Sequence, residues 1–337
     1  MNHATLVGIW KLKGISDQKI IVGGFSGLCC AASTKGDFKL VSISDRGPNE
    51  EPIKIKGSSR QQRPFISPDY TPEIFFTTWS ESKGWHFEKR LPLSWADTHA
   101  KASGIPNSPD DEEPVDINGH KLPLNERGID TEGIALDADA YWAVEEYGPS
   151  LLKIDSKGRI LGRWIPEGST HRYGIAALPK KIGERAVNRG FEGVTIAGDT
   201  LYAFLQSPLA PSEDTISVLA WDTKKEKSLG LLEYPLHDPK ANKIGDASAL
   251  GDGRILVLEQ DGKTKDKALR KVFVWNPSTG HKELVVDLTE AGYVGREKAE
   301  GLAMLSHELL AVVSDNDYAL RSGTSSELAV FKVKIPN

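Results

Sequence analysis

The sequence predicts an all-β protein of the β-propeller class. A carboxylate recurs at the start of an alternating apolar run, at Glu132, Glu192, Asp246 and Glu300, with spacings of 60, 54 and 54 residues. Each interval holds four short runs of β-forming residues separated by turn residues. Four-stranded sheets repeating at this period are typical of propeller blades, so each unit is predicted to form one blade.

The first unit contains the runs SGLCCAAS, FKLVSISD, EIFFTTWS and WHFEKRLPL. A polar, Pro-rich stretch from about 104 to 129 follows them and is predicted to be a long surface loop. This loop accounts for the wide spacing before the second unit.

The next three units repeat the four-run layout. Their runs are EGIALDA, AYWAVEE, SLLKIDSKG and RILGRWI from residue 130; FEGVTIAG, TLYAFLQ, TISVLAWD and KSLGLLEY from residue 188; and DASALGDG, RILVLEQ, KVFVWNP and KELVVDL from residue 245. Tryptophans fall within these runs, and we expect them to pack between blades.

The last unit is one strand short, with only EGLAMLS, ELLAVVSD and LAVFKVKI. The run TLVGIWKLK at the N-terminus can supply the missing strand, which would remove two exposed sheet edges. We therefore predict a single domain over residues 1–337 with five four-stranded blades, the N-terminal strand closing the last one. Six blades are the alternative if residues 50–130 contain another.

Composition excludes several function classes. The chain is 39% hydrophobic and 26% charged, which is ordinary for a globular protein. Its net charge of -5 and the lack of a basic run argue against a nucleic-acid partner. No apolar run approaches about 18 residues, and the start MNHATLVGIWKLKG lacks a signal peptide's ordered regions, so neither membrane insertion nor an export signal is predicted. The sequence makes no prediction of oligomeric state.

The recurring acids are predicted to meet at one end of the propeller. The innermost strand of each blade lines the central channel and the next strand returns beside it, so the start of one lies next to the end of the other. The predicted mouth residues are Ser26, Glu132, Glu192, Asp246 and Glu300 at the starts, and Asp45, Glu145, Gln206, Glu259 and Asp315 at the ends, with Arg46, Glu146 and Asn316 adjacent.

Such a concentration of carboxylates requires compensation. Two like charges about 4 Å apart repel by about 4 kcal/mol at an effective dielectric of about 20. A divalent cation would offset this repulsion, and the mixture of carboxylate and amide oxygens suits Ca²⁺ better than zinc. The predicted metal ligands are Asp45, Glu132, Glu145, Glu192, Glu259, Glu300, Asp315 and Asn316.

Two other interpretations of the acids stay open. Basic residues precede most of them, at Arg127, Arg189, Lys243 and Lys298, and Arg46 follows Asp45; these could pair with the carboxylates or bind an anionic substrate. Alternatively, the acids could accept backbone N–H bonds from the neighbouring blade and lock the repeat. Serine-hydrolase, zinc-protease and nucleotide-binding motifs are absent from the sequence.

The sequence resembles the phytase-like family described as "esterase-like activity of phytase". The segments that carry the resemblance are GGFSGL, SISDRGPN, DTEGIA, WAVEEYGPSLLKID, NRGFEGVTI, LYAFLQSPL, IGDASAL, ILVLEQ, KAEGLAML and VVSDNDY. The resemblance implies hydrolysis of phosphate esters. It also implies a periplasmic or secreted protein, with the cytoplasm as the alternative.

These observations predict a metal-dependent hydrolase of a small anionic ester, and the resemblance implies that this ester is a phosphomonoester. Arg46 and Arg189 would neutralise the phosphoryl oxygens. Glu146 or Asp246 would act as general base. The alternatives are a metal-dependent lactonase or carboxylesterase, and a non-enzymatic ligand-binding propeller with a structural metal.

Overall fold

The computed structural model describes residues 4–13, 22–57, 60–108, 110–138, 140–170, 173–210, 214–236, 241–263, 267–294, 296, 298–319 and 325–336. Within these ranges the protein is all-β, as predicted. Its helical segments with three or more described residues are two short 3-10 turns, at Lys180–Glu184 and Asp317–Ala319. None of the described helical segments has the length or apolarity to cross a membrane.

The strands have the following bounds. The first nine are β1 (Thr5–Lys11), β2 (Phe25–Thr34), β3 (Asp37–Ser44), β4 (Ile53–Lys54), β5 (Gln61–Phe65), β6 (Glu73–Ser80), β7 (Gly84–Pro92), β8 (Ser94–Trp95) and β9 (Glu113–Asp116). The next nine are β10 (Thr131–Asp137), β11 (Ala140–Glu145), β12 (Ser150–Asp155), β13 (Arg159–Pro166), β14 (Ile175–Leu178), β15 (Phe191–Ala197), β16 (Thr200–Leu205), β17 (Thr215–Asp222) and β18 (Lys227–Pro235). The last seven are β19 (Lys243–Ala249), β20 (Ile255–Gln260), β21 (Arg270–Trp275), β22 (Lys282–Asp287), β23 (Lys298–Met304), β24 (Leu309–Asp315) and β25 (Glu327–Lys332).

Most strands belong to antiparallel sheets of four. Three such sheets have the orders β2-β3-β6-β7, β15-β16-β17-β18 and β19-β20-β21-β22. Strands β10 to β13 follow the same order, and two short parallel strands, β8 and β14, extend this sheet to six. Burial is nearly continuous along the inner strands, as in β17, β20 and β24, so both faces of these strands pack against other parts of the protein.

The N-terminal strand joins the last sheet, whose order is β1-β25-β24-β23. Strand β1 pairs antiparallel with β25, so that Thr5 lies opposite Lys332 and Lys11 opposite Glu327. The missing fourth strand of the last unit is therefore supplied from the other end of the sequence, as the run TLVGIWKLK predicts.

The segment predicted as a surface loop at 104–129 has more structure than expected. It contributes β9, which pairs parallel with β5, and β5 also pairs with β4 to make a three-stranded sheet. Ile105, Asn107 and Glu112 of this segment are buried. The sequence did not indicate a strand because Glu-Pro-Val-Asp has no apolar alternation. This sheet lies where a sixth blade was the alternative, and it has three strands.

The first strands of the five larger sheets pack side by side. Strand β2 packs against β10 and β23, β15 packs against β10 and β19, and β19 packs against β23. Glycines permit this approach: a Cβ on Gly133 would lie 2.6 Å from the Glu192 carbonyl oxygen, and one on Gly27 would lie 2.8 Å from Gly133 Cα. A larger residue at either position would force neighbouring strands apart.

Tryptophans fill the space between sheets, as expected from their positions in the predicted strands. Trp142 of β11 and Trp164 of β13 both pack against Trp221 of β17, with ring centroids 6.5 Å and 5.5 Å apart. Trp142 and Trp221 are fully buried. These contacts join the sheet that begins at β10 to the sheet that begins at β15.

Candidate functional site

A polar cavity of about 290 Å³ lies at one end of the packed first strands. We call it the mouth, and it is lined by Ser26, Asp45, Arg46, Asn49, Glu51, Arg63, Glu132, Glu146, Asn188, Arg189, Glu192, Gln206, Lys243, Lys298, Glu300, Asp315 and Asp317. Eight of these residues are acidic and five are basic, which leaves a formal excess of three negative charges. The mouth therefore attracts cations.

Three glutamates form the centre of the mouth. Glu132, Glu192 and Glu300 each occupy a β-bulge between the first and second strands of their sheets. A bulge turns its extra residue away from the regular alternation, and one carboxylate oxygen from each glutamate lies within 4.8 Å of the others. No described Lys, Arg or His lies within 4.0 Å of these three carboxylates. We call this group the central triad.

A second acidic group overlaps the first but already has a cation. Asp130, Glu132 and Glu146 also approach within 4.8 Å. Arg46 Nη2 lies 2.6 Å from Asp130 Oδ2 and 3.1 Å from Glu146 Oε2. Because Arg46 compensates this group, the central triad is the part of the mouth that can accept a metal.

Burial and mutual repulsion disfavour the charged forms of these acids. Burial is the largest cause that raises the pKa of Glu132 and Glu192 well above the usual range, and the neighbouring carboxylates raise it further. Burial and the charge of Asp130 raise the pKa of Asp45 to about 7. A cation in the mouth would reverse these shifts, because an opposite charge favours the ionised carboxylate.

Arg46 is the hub of a buried ion network. Its Nη1 lies 3.2 Å from Glu112 Oε2, and its Nη2 donates to Asn188 Oδ1 at 2.9 Å. Glu112 in turn binds Arg63 through both carboxylate oxygens, at 2.7 Å each. With its terminal nitrogens engaged in this way, Arg46 is unsuited to the phosphoryl contact predicted for it from sequence.

The network reaches the central triad through an amide. Gln206 Nε2 donates to Glu146 Oε1 at 3.1 Å and to Glu192 Oε2 at 2.6 Å. Glu146 is itself held by Arg46. An unbroken series of polar contacts thus runs from Arg63, on the three-stranded sheet, to Glu192 at the centre of the mouth.

Three further cations lie at the rim. Arg189 is 3.9 Å from Glu146 Oε1, and its side chain is 36% exposed. Lys298 lies 3.6 Å from Asp317 and 3.9 Å from Asp315 and is 43% exposed. No carboxylate of the described residues lies within 4.0 Å of Lys243. These long, partly exposed contacts leave the three cations able to meet an anion.

Two predicted metal ligands do not reach the mouth. Glu145 is fully buried in an ion pair with Arg163 and accepts a hydrogen bond from Ser150 Oγ at 3.1 Å. Glu259 pairs with Lys282 and accepts from Tyr234 Oη at 2.7 Å. Neighbouring residues of a strand face opposite sides, so a shift of one position moves a side chain from the mouth to the space between sheets. Glu146 comes directly after Glu145, so its side chain points to the other side and lines the mouth.

Asp246 is also not at the mouth. In its sheet the bulge falls at Gly245, so Asp246 occupies the position that Gly133, Gly193 and Gly301 hold elsewhere. Its buried Oδ2 accepts the N–H of Leu28 at 3.1 Å and of Leu302 at 2.8 Å. Asp246 therefore joins β2 and β23 to β19, which is the locking role that stood as an alternative, and it is not positioned to be a general base.

Two of the three remaining predicted ligands line the mouth, and one does not. Asp45 accepts hydrogen bonds from Tyr318 Oη at 2.6 Å and from the Gly47 N–H at 2.8 Å. Asp315 lines the mouth, whereas Asn316 is buried and does not line it. Tyr318 has a left-handed backbone, with φ of 56°, which brings its hydroxyl to Asp45. The sequence reasoning missed Tyr318, Asp130 and Glu112, although VVSDNDY and DTEGIA contain the first two.

Comparison with known proteins shows that a family model matches most of this chain. The model of the phytase-like family, described as "Esterase-like activity of phytase", matches residues 20–318. A secreted protein of Arthroderma benhamiae, described as uncharacterized, is 34% identical over 103 residues, covering 24% of this chain. The chain spans about a fifth of that relative's length, since 20% of it is covered.

Two solved structures are similar to this chain at low sequence identity. An α-L-arabinofuranosidase of Podospora anserina, of propeller type, is 7% identical with a TM-score of 0.50, covering 97% of this chain and 98% of that one. A Myxococcus xanthus glutaminyl cyclase is 10% identical with a TM-score of 0.48, covering 100% and 98%. The arabinofuranosidase supports the all-β architecture, and neither likeness extends to activity.

We predict that Asp246→Ala lowers the free energy of unfolding by about 2 kcal/mol or more, because two buried N–H groups lose their acceptor. Asp246→Asn should cost much less, since one amide oxygen can still accept both bonds. Urea denaturation of the two variants tests this. Equal stability of Asp246→Ala and the wild type would contradict the locking role.

We predict that Glu112→Ala lowers the free energy of unfolding by about 3–5 kcal/mol, because Arg63 and Arg46 are left buried with less compensation. The adjacent Glu113 provides a matched control, since its partner Lys121 is 74% exposed. Glu113→Ala should cost about 0–1 kcal/mol. Guanidinium denaturation measures both, and similar small losses would show that the network does not stabilise the fold.

Proposed function

Because this chain belongs to the phytase-like family described as "esterase-like activity of phytase", we propose that it is a metal-dependent ester hydrolase acting on phosphomonoesters at the mouth. The observation that carries the proposal is the central triad. It combines three converging carboxylates that lack a cation within 4.0 Å among the described residues with three cations at the rim. A metal and an anion could therefore be bound side by side.

The architecture that we propose is a five-bladed propeller made of the five larger sheets. The support is the set of contacts among β2, β10, β15, β19 and β23, together with the pairing of β1 with β25. In this arrangement the mouth is one opening of the central channel, and residues 1–337 form one domain.

Glu132, Glu192 and Glu300 are the proposed metal ligands, and we propose that Asp45 and Asp315, which also line the mouth, complete the shell. All five offer hard carboxylate oxygens, which fit Ca²⁺ and do not favour a soft metal. When bound, such an ion polarises the ester oxygen and lowers the pKa of a water molecule.

The chain's own residues would position and neutralise the substrate. Arg189, Lys243 and Lys298 face the mouth from the rim, and we propose that they bind the phosphoryl oxygens. Glu146 is the proposed general base: it lies beside the triad, and Arg46 and Gln206 fix its orientation. Arg46 acts through Glu146 and does not contact the substrate.

The charge of the mouth favours a second candidate, a metal-dependent lactonase or carboxylesterase. An excess of three negative charges repels an anionic ester more than an uncharged one unless the metal is bound. The rim cations distinguish the two, because an uncharged ester has no use for them.

We also propose that the protein acts outside the cytoplasm. The support is the partial match to a secreted relative and the family to which the chain belongs.

We predict that adding Ca²⁺ to chelator-treated protein raises the melting temperature, because a ligand that binds only the folded state stabilises it. The double variant Glu192→Gln with Glu300→Gln should lose this rise. The exposed pair Glu88→Gln with Glu233→Gln is the control and should keep it. If Mg²⁺, Mn²⁺ and Zn²⁺ also fail to raise the melting temperature of the wild type, the triad is not a metal site.

We predict that Arg189→Ala lowers kcat/KM for a phosphomonoester by about 100-fold, the loss expected when a charged transition-state contact is removed. A lactone or carboxylester should be turned over unchanged by the same variant. Initial rates with both substrate classes at saturating Ca²⁺ provide the comparison. An equal loss with both would argue for a general role of Arg189 in folding the mouth, and no loss with either would remove it from the site.

A further inference from the structure

Asp45 is held through one of its two carboxylate oxygens. It lies directly after β3 and lines the mouth, where it is partly exposed. Its Oδ1 accepts two hydrogen bonds, from Tyr318 Oη at 2.6 Å and from the N–H of Gly47 at 2.8 Å. A carboxylate can accept hydrogen bonds or bind a cation through both of its oxygens. Since both donors meet Oδ1, Oδ2 is the oxygen that is left to face the mouth.

Tyr318 reaches Asp45 from the other end of the chain. It follows β24, and 273 positions separate it from Asp45. Its backbone is left-handed, with φ of 56° and ψ of 26°, and the preceding Asp317 is left-handed as well, with φ of 45°. Residues other than glycine rarely adopt this conformation, and it costs free energy where they do. Two such residues in succession therefore need surrounding contacts that hold Tyr318 in place.

Two glycines and a second aromatic ring fit closely around Tyr318. A Cβ on Gly24, whose own φ is 59°, would lie 2.3 Å from Tyr318 Oη and 2.7 Å from Asp45 Oδ1. A Cβ on Gly23 would lie 2.7 Å from Tyr318 Cα. The ring of Tyr70 also packs edge-on against that of Tyr318, with centroids 5.6 Å apart. The hydroxyl of Tyr318 therefore has little freedom to leave Asp45.

We propose that Tyr318 is a positioning residue: its hydroxyl fixes the carboxylate of Asp45 so that Oδ2 faces the mouth and binds the Ca²⁺ ion of the central triad. The inference rests on the proposed function, because it assumes that a metal binds there. Tyr318 itself does not line the mouth, so it contacts neither the metal nor the substrate. Hydrogen-bond partners of metal-binding side chains orient these ligands, and the loss of one typically weakens metal binding by about 10–100-fold.

The test measures Ca²⁺ binding to chelator-treated protein by titration calorimetry. Tyr318→Phe removes the hydroxyl and keeps the ring. Tyr234→Phe is the matched control, because it also removes a buried hydroxyl that donates to a carboxylate, here Glu259 at 2.7 Å, which does not line the mouth. Asp45→Ala and the double variant Asp45→Ala with Tyr318→Phe complete a mutant cycle, which shows whether Tyr318 acts through Asp45. Thermal melting without Ca²⁺ shows whether each variant is folded.

We expect Tyr318→Phe to raise the Kd for Ca²⁺ by about 10–100-fold, and Tyr234→Phe to change it less than about twofold. In the cycle, Tyr318→Phe should add no further loss to Asp45→Ala, because the carboxylate that it positions is gone. Asp45→Asn serves as a second variant, since its amide oxygen still accepts from Tyr318 and Gly47. It should fold as the wild type does and bind Ca²⁺ more weakly, because the charged Oδ2 has been replaced.

An unchanged Kd in Tyr318→Phe or in Asp45→Asn would overturn the inference and leave the metal site of the three glutamates intact. A loss in Tyr318→Phe that persists in the Asp45→Ala background, or an equal loss in Tyr234→Phe, would also overturn it, because the hydroxyl would then not act through Asp45. Failure of the wild type to bind Ca²⁺ would overturn it together with the metal dependence of the proposed function. The expected losses of affinity, without turnover of phosphomonoesters or carboxylesters, would support the role of Tyr318 and overturn the hydrolase.

Discussion

Repulsion among carboxylates at the mouth is the constraint on which the arrangement of the site depends. Eight acids in one small cavity cannot all remain ionised without nearby cations. The protein meets this constraint most closely around the buried Arg46, which contacts Glu146 of the mouth together with Asp130 and Glu112. The opposite side, with Glu192 and Glu300, receives an amide from Gln206 and more distant lysines. Because of this asymmetry, the carboxylates that contact Arg46 contribute to the structure, whereas those of Glu192 and Glu300 are available to a ligand.

The sequence predicted the strand-rich architecture because alternating apolar runs and turn residues are local signals. It also predicted that Glu132, Glu192 and Glu300 would converge, because each of them opens the first alternating run of its unit. It could not separate Glu145 from Glu146, because which of two adjacent acids faces the mouth depends on the register of pairing. Asp246 misled for a related reason: in IGDASAL the acid follows the glycine, so the bulge moves it one place along.

The partners of the mouth were harder to foresee because they come from distant parts of the chain. Glu112 belongs to a polar stretch that reads as a loop, and its contacts with Arg46 and Arg63 join residues 66 and 49 positions apart. The short strand β9 supports this geometry, although Pro114 obscures it in the sequence. Local patterns carry no information about such pairings. Because the three charged side chains are buried, removing any one of them strongly destabilises the folded protein.

The pairing of β1 with β25 has a kinetic consequence. Thr5 and Lys332 lie opposite each other although 327 residues separate them along the chain. Bringing such distant segments together costs entropy that grows with the logarithm of the intervening length, and folds dominated by distant pairings form slowly. During synthesis β1 has no strand to pair with until residues 327–332 have been made, although Trp10 can already pack against Trp79. Chaperone binding near the N-terminus during translation would protect the unpaired strand from aggregation until then.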